Sequence, residues 1–254
     1  MEKFEDTKLP LITHLTELKK RLIYSTIFLF ISFIVSYFFS KEIYQILMRP
    51  LVDIIGSTHK KMIYTNLTEA FFTYLKLAFF TSFFASLPFC ASQIYIFLAP
   101  GLYKNEKKAL IPYLIAAPVL FALGAFFVYY FIFPLAWKFF LSFETNANEG
   151  SIPIQLEAKI SEYLSLVMHL IIAFGMAFQL PVILILLVQL KFIKVSALIS
   201  GRRFAIVFIF IIAAIITPPD ALSQISLAIP MILLYEIAII IGKIIEKQRV
   251  NSHA

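Results

Sequence analysis

The sequence predicts an all-α integral membrane protein of six helical spans with both ends on the cytoplasmic side. Three observations predict it. Hydrophobic residues make up 61% of the 254 and charged residues 15%, against about 45–50% and about 25% in soluble domains. Uncharged runs of bilayer length follow one another along the chain, and lysine and arginine collect in alternate connections between them.

The first run, Leu22 to Phe39, carries no charge and at about 1.5 Å per residue covers roughly 27 Å, a bilayer core. No small-residue cleavage site closes it, so it is expected to stay as a span rather than leave as a leader. The second run, Phe71 to Ala99, holds Lys76 near its start, where a long side chain can snorkel to the interface. The third, Leu110 to Trp137, contains Pro112, Pro118 and Pro134 and predicts a kinked or tilted helix. The fourth runs from about Tyr163 to Leu190, interrupted only by His169, Gln179, Pro181 and Gln189.

The last stretch, Phe204 to Gly242, divides at Thr217-Pro218-Pro219-Asp220. Two prolines remove two backbone donors and push Thr217 out of helical geometry, and an aspartate at a bilayer centre costs about 2.5–3.5 kcal/mol. A turn belongs there. The fifth span, Phe204 to Ile216, would be only about 20 Å long. The sixth, Ala221 to Gly242, contains Pro230 and Glu236, and the pair is expected to be short and to thin the bilayer.

Orientation follows from the basic residues. Of the 22, 15 lie at residues 1–21, 100–109, 191–203 and 243–254, and six in the connections on the other side. Both termini are therefore expected inside. The connections 40–70 and 138–162 are long enough to form small external caps. No internal repeat is evident, and the whole chain is read as one membrane domain.

The composition also excludes whole classes. Seven glycines supply no phosphate loop, and the single cysteine, Cys90, supplies neither a disulfide framework nor a cysteine metal site. The formal charge of +7 sits in short loops rather than along one face, so nucleic acid is not indicated. There is no H-E-x-x-H, no G-x-S-x-G, and no second membrane aspartate to pair with Asp220. No enzyme activity, metal or cofactor is expected.

Two segments at the inner rim carry isolated acids. In Thr13 to Leu22 an amphipathic helix feeds the first span, and Glu17 is the only acid close to it among basic residues that include Lys19, Lys20 and Arg21. In Phe97 to Lys108, Glu106 is the only acid of a tight turn opened by Pro100-Gly101. Carboxylates on a basic rim suit a cationic ligand, because guanidinium–carboxylate forks strengthen when partly desolvated. Local charge balance is the alternative, with Glu17 and Arg21 spaced as an i,i+4 pair.

These residues resemble a known family. Pro10-Leu-Ile-Thr-His14-Leu-Thr-Glu17-Leu-Lys-Lys-Arg21 is similar to the N-terminal signature of the TatC family, the receptor subunit of the twin-arginine protein translocase. Pro50-Leu51, Glu69-Ala-Phe71-Phe72, Phe97 to Glu106, Phe174 to Pro181, Thr217 to Asp220 and Ala228 to Glu236 match further blocks in order. The resemblance spans residues 10 to about 242.

The resemblance implies a glove-shaped six-span receptor of the bacterial inner membrane. It implies binding of twin-arginine signal peptides of folded precursors, with export driven by the proton-motive force. Single-span TatA- and TatB-type subunits, self-association and the bilayer are the implied partners. Glu17 and Glu106 would receive the two arginines, with His14, Lys19, Arg21, Phe97 and Tyr103 around them. Gln179, Thr217, Asp220 and Glu236 would offer polar contacts within the membrane or to a partner helix, while Pro50, Glu69, Phe72, Pro100, Pro181, Pro218 and Pro219 belong to structural motifs. Lys19 stands where arginine is common in the family, and Gln179 where glutamate often stands. A small-molecule secondary transporter and a structural subunit of a membrane complex are the competing readings.

Overall fold

The computed structural model describes residues 11–55, 62–98, 104–145, 156–217 and 221–253. The described residues are almost entirely helical, joined by one isolated bridge rather than a sheet. Among the described residues, five helical stretches are long and apolar enough to cross a membrane. Large apolar side chains such as Phe30, Phe79 and Phe126 stand exposed on these helices, as lipid-facing positions do when the solvent is itself apolar.

The first helix, α1 (Leu11–Phe38), has 28 residues and joins the rim segment to the first apolar run without a break. It packs along α3 (Glu69–Leu98), where the rings of Phe28 and Phe89 stack at 4.3 Å. The seams within α3 are polar but locally satisfied. The hydroxyls of Thr73, Thr81, Ser82, Ser86 and Ser92 each donate to a carbonyl three or four residues back, which removes the cost of carrying them into an apolar phase.

Between them lies α2 (Ser40–Ile55), a 16-residue helix within the segment expected only as an external connection. Its helical spacing brings Leu47, Met48 and Leu51 into the core while Lys41, Glu42, Arg49 and Asp53 stay exposed. Pro50 sits buried inside this helix. Having no N–H, it leaves the Ile46 carbonyl without a helical donor. The hydroxyl of Tyr129 donates to that carbonyl at 2.8 Å, and the hydroxyl of Tyr163 donates to Leu47 O at 3.0 Å.

The third run forms α4 (Lys104–Phe127), a π-helical turn at Val128–Ile132, and α5 (Phe133–Leu141). Pro112 and Pro118 stay inside α4. Pro134 has a different effect, since it cannot donate to Tyr130 O. The helix widens there, with Phe133 N–H reaching back to Val128 O.

The fourth run, expected as one helix, is two. It divides at Phe178–Gln179 into α6 (Ile160–Ala177) and α7 (Leu180–Gln189), with Pro181 in the first turn of the second. Pro181 cannot donate to Ala177 O, and Gln179 N–H turns back to Met176 O instead. Close packing of α6 on α4 is set by glycine. A Cβ on Gly124 would lie 2.7 Å from the Phe174 carbonyl oxygen, so only glycine lets the backbones approach this far.

A short α8 (Val195–Ser200) leads into α9 (Arg202–Ile216), whose 15 residues span about 22 Å. The expectation that the following helix is also short is corrected. α10 (Ala221–His253) has 33 residues. Gly242 does not end it: a Cβ there would meet Val195 Cγ2 at 2.9 Å, so this glycine serves close packing in a continuing helix. Beyond it, Glu246 accepts a hydrogen bond from the Val195 N–H at 2.9 Å.

The core sits where the π turn, α5 and α6 meet, around the fully buried Phe133, Phe174, Leu164, Val167 and Leu170. At the end of the bundle farther from His14, Ile63 and Lys159 pair as a bridge that ties the two long connections together. Glu69 lies beside it, its side chain 7% exposed. It accepts from the Ser161 hydroxyl at 2.6 Å and the Thr65 N–H at 2.9 Å, with Lys159 Nζ at 3.8 Å.

A candidate carboxylate rim at the N-terminal end of the bundle

The first two turns of α1 and the last turns of α3 run side by side because their apolar faces pack. That pairing places His14 over Phe97, with ring centroids 4.3 Å apart and an interplanar angle of 23°. One turn further along α1, Glu17 Oε1 lies 3.3 Å from Arg21 Nη2, both side chains about a quarter exposed. The other nitrogen of that fork, Nη1, donates at 3.3 Å to Oε1 of Gln93, a buried residue of α3.

This chain of contacts orients the carboxylate. Arg21 engages one oxygen of Glu17, and the second, Oε2, has no partner among the described residues. Arg21 Nε is also buried without a partner, so the resting contact is not fully satisfied. A half-occupied carboxylate with one guanidinium already beside it can accept a second guanidinium through its free edge. Gln93 was not anticipated from the sequence. It lies in an apolar run, 72 residues from Arg21, and only an uncommon polar residue within that run marked it.

Lys19 is exposed and borders an apolar groove with Leu15, Leu18 and Leu22. Lys20 extends over the Tyr24 ring, 5.9 Å from its centroid. Glu106 falls in the first turn of α4, and its side chain lies outside the described residues. Tyr103, Pro100, Pro218, Pro219 and Asp220 lie outside them as well.

Gln179, Thr217 and Glu236 have partners within the chain. Gln179 Nε2 donates to Ala117 O on α4 at 2.9 Å and approaches Gly175 O at 3.5 Å, so it fastens the break in the fourth run to its neighbour. Thr217 donates its hydroxyl to Ala213 O at 2.8 Å. Glu236 stands in α10 and accepts from Arg202 Nη2, at the start of α9, at 2.8 Å. Pro181 is buried at the start of α7, whereas Phe72 is exposed beside Phe71, with rings 5.5 Å apart.

Long apolar helices, outward-facing phenylalanines and a charged rim at one end define a multi-pass α-helical membrane protein. Residues 13–230 match the family model described as Sec-independent protein translocase protein (TatC). The chain belongs to that family. It is 52% identical over 236 residues to the TatC protein of Rickettsia prowazekii (strain Madrid E), covering 93% of each chain. With the TatC protein of Escherichia coli (strain K12) it shares 39% identity over 241 residues, 94% of this chain and 90% of the relative. A crystal structure of the twin-arginine translocase receptor TatC superposes with a TM-score of 0.73 at 36% identity, covering 92% of this chain and 99% of that one.

Proposed function

We propose that this protein is the receptor of a twin-arginine translocation system and that Glu17 and Glu106 each take one arginine of the signal peptide. One observation carries the proposal. Glu17 presents a half-open carboxylate whose other oxygen already faces the Arg21 guanidinium at 3.3 Å. Family membership supplies the class of ligand, and the rim supplies chemistry that suits it.

The physical basis for arginine specificity is the planar fork. A guanidinium meets a carboxylate through two parallel N–H bonds, which an ammonium cannot copy. Each such contact is worth about 1.5–3 kcal/mol where the carboxylate is partly shielded from water. His14 and Phe97 form a flat wall beside the site, against which a guanidinium or an apolar residue of the peptide can lie.

In this reading the chain is one membrane domain of six spans in the bacterial inner membrane, with both termini cytoplasmic. It acts as a binding component without catalysis. The apolar part of the signal peptide then enters the bundle, TatA- and TatB-type single-span subunits join it, and the proton-motive force drives export. The short α9 supports local thinning of the bilayer at the place where a partner helix is recruited. Gln179 cannot titrate, so in this chain it anchors helices rather than carrying protons.

The test is photocrosslinking of a twin-arginine precursor to the rim in membranes bearing Glu17→Ala or Glu106→Ala. Strong loss of the adduct in either variant supports the assignment. Unchanged crosslinking in both removes it.

A further inference from the structure

We infer that an anionic phospholipid binds in the groove between α1, α3 and α6, with its phosphate on Lys76 and His169 and an acyl chain along the phenylalanines below. The groove is a cavity of about 680 Å³, lined by Phe33, Phe79, Phe83 and Ile172 among others. It holds two side chains that can be cationic, Lys76 and His169, and no acid.

Their depth is the first argument. The starts of α3 and α6 are level, because the Ser161 hydroxyl meets Glu69 at 2.6 Å. Lys76 lies seven residues along α3 from Glu69, and His169 eight along α6 from Ser161. At about 1.5 Å per residue both sit roughly 10–12 Å from that contact. The two polar groups thus enter the groove at one level, just inside the boundary of an apolar phase, while the wall beyond them is aromatic and aliphatic.

Charge is the second argument. Lys76 makes no ion pair or hydrogen bond among the described residues. An ammonium facing an apolar groove at this depth favours an anion that can follow it there. A free phosphate would gain nothing from the phenylalanines and would lose its hydration. A phospholipid satisfies both parts, because its phosphate accepts from the ammonium and the imidazole while its tail replaces lipid contacts along α3. A zwitterionic lipid brings its own cation to the same place and is disfavoured. This site lies away from Glu17 and does not depend on the arginine reading.

The experiment is native mass spectrometry of the detergent-purified full chain, titrated with phosphatidylglycerol and, separately, phosphatidylcholine. The wild type is expected to take up its first phosphatidylglycerol about fivefold more tightly than phosphatidylcholine. Lys76→Gln should bring the ratio to within about twofold, and His169→Gln should lower it partly. Lys138→Gln, an exposed lysine outside the groove, should leave it unchanged. Both groove side chains are exposed, so the variants are expected to keep the fold, which a thermal melt checks. No lipid preference in the wild type, or an unchanged ratio in Lys76→Gln, would overturn the inference. So would competition by glycerophosphate at equal concentration. An uncharged apolar peptide that displaces the lipid and binds Lys76→Gln equally well would make the groove a peptide-docking surface instead.

Discussion

Gln93 of α3 accepts a hydrogen bond from Arg21 of α1 at 3.3 Å, and through that bond a buried amide on one helix sets the position of a guanidinium on another. The same guanidinium holds Glu17 at 3.3 Å. The orientation of the Glu17 carboxylate therefore depends on a residue that does not touch it. Gln93→Leu removes the amide and keeps the bulk. Binding of a twin-arginine peptide should weaken by about five- to tenfold, in line with the 1.4 kcal/mol that corresponds to a tenfold change. Fluorescence anisotropy with a labelled peptide reads this directly, and unaltered affinity would show that Arg21 is placed without help from α3.

Pro50 and Tyr129 should be energetically coupled. Tyr129→Phe strips the Ile46 carbonyl of its donor and should cost about 0.5–1.5 kcal/mol in thermal or denaturant unfolding. In a Pro50→Ala background the restored N–H can serve the same carbonyl, so the second tyrosine substitution should cost much less. A double-mutant cycle measures the difference. Strict additivity would mean that the proline and the tyrosine act independently.

Gly124 tests the close contact of α4 with α6. A Cβ at this position meets a backbone oxygen at 2.7 Å, and a backbone cannot rotate away as a side chain can. Gly124→Ala should therefore destabilise the protein, by about 1–3 kcal/mol as overpacking does, although alanine is the better helix former. A higher melting temperature in that variant would contradict the packing account.

The length of α9 should matter to assembly rather than to peptide recognition. Its 15 residues fall short of the roughly 20 that span a bilayer core. Inserting one apolar turn after Phe208 should reduce copurification of a single-span partner while leaving twin-arginine peptide affinity within about twofold. Full partner recovery would argue against a role for the short helix in assembly.

Several features were legible in the sequence because they are local. The 18-residue uncharged run Leu22–Phe39 and the i,i+4 pair Glu17–Arg21 follow from periodicity and spacing alone. The disturbance of the third run at Pro134 follows from a missing donor. Other features depend on distant residues. Gln93–Arg21 joins residues 72 apart and Ser161–Glu69 joins residues 92 apart, and neither pattern exists before the helices pack. α2 does not stand out as an apolar run, because Lys41, Glu42, Arg49 and Asp53 interrupt its sequence while sharing one face of the helix. Gly242 shows a third cause, since a glycine chosen for helix contact reads the same in sequence as a glycine that ends a helix.

The most direct test measures the dissociation constant of a twin-arginine signal peptide and of its twin-lysine variant on the detergent-purified protein and on Glu17→Gln. The account predicts that the wild type prefers arginine by about tenfold or more, as expected when at least one guanidinium fork is lost. In Glu17→Gln the preference should shrink to a few-fold, chiefly through weaker arginine binding. Equal affinity for the two peptides on the wild type, or the same preference in Glu17→Gln, would contradict it.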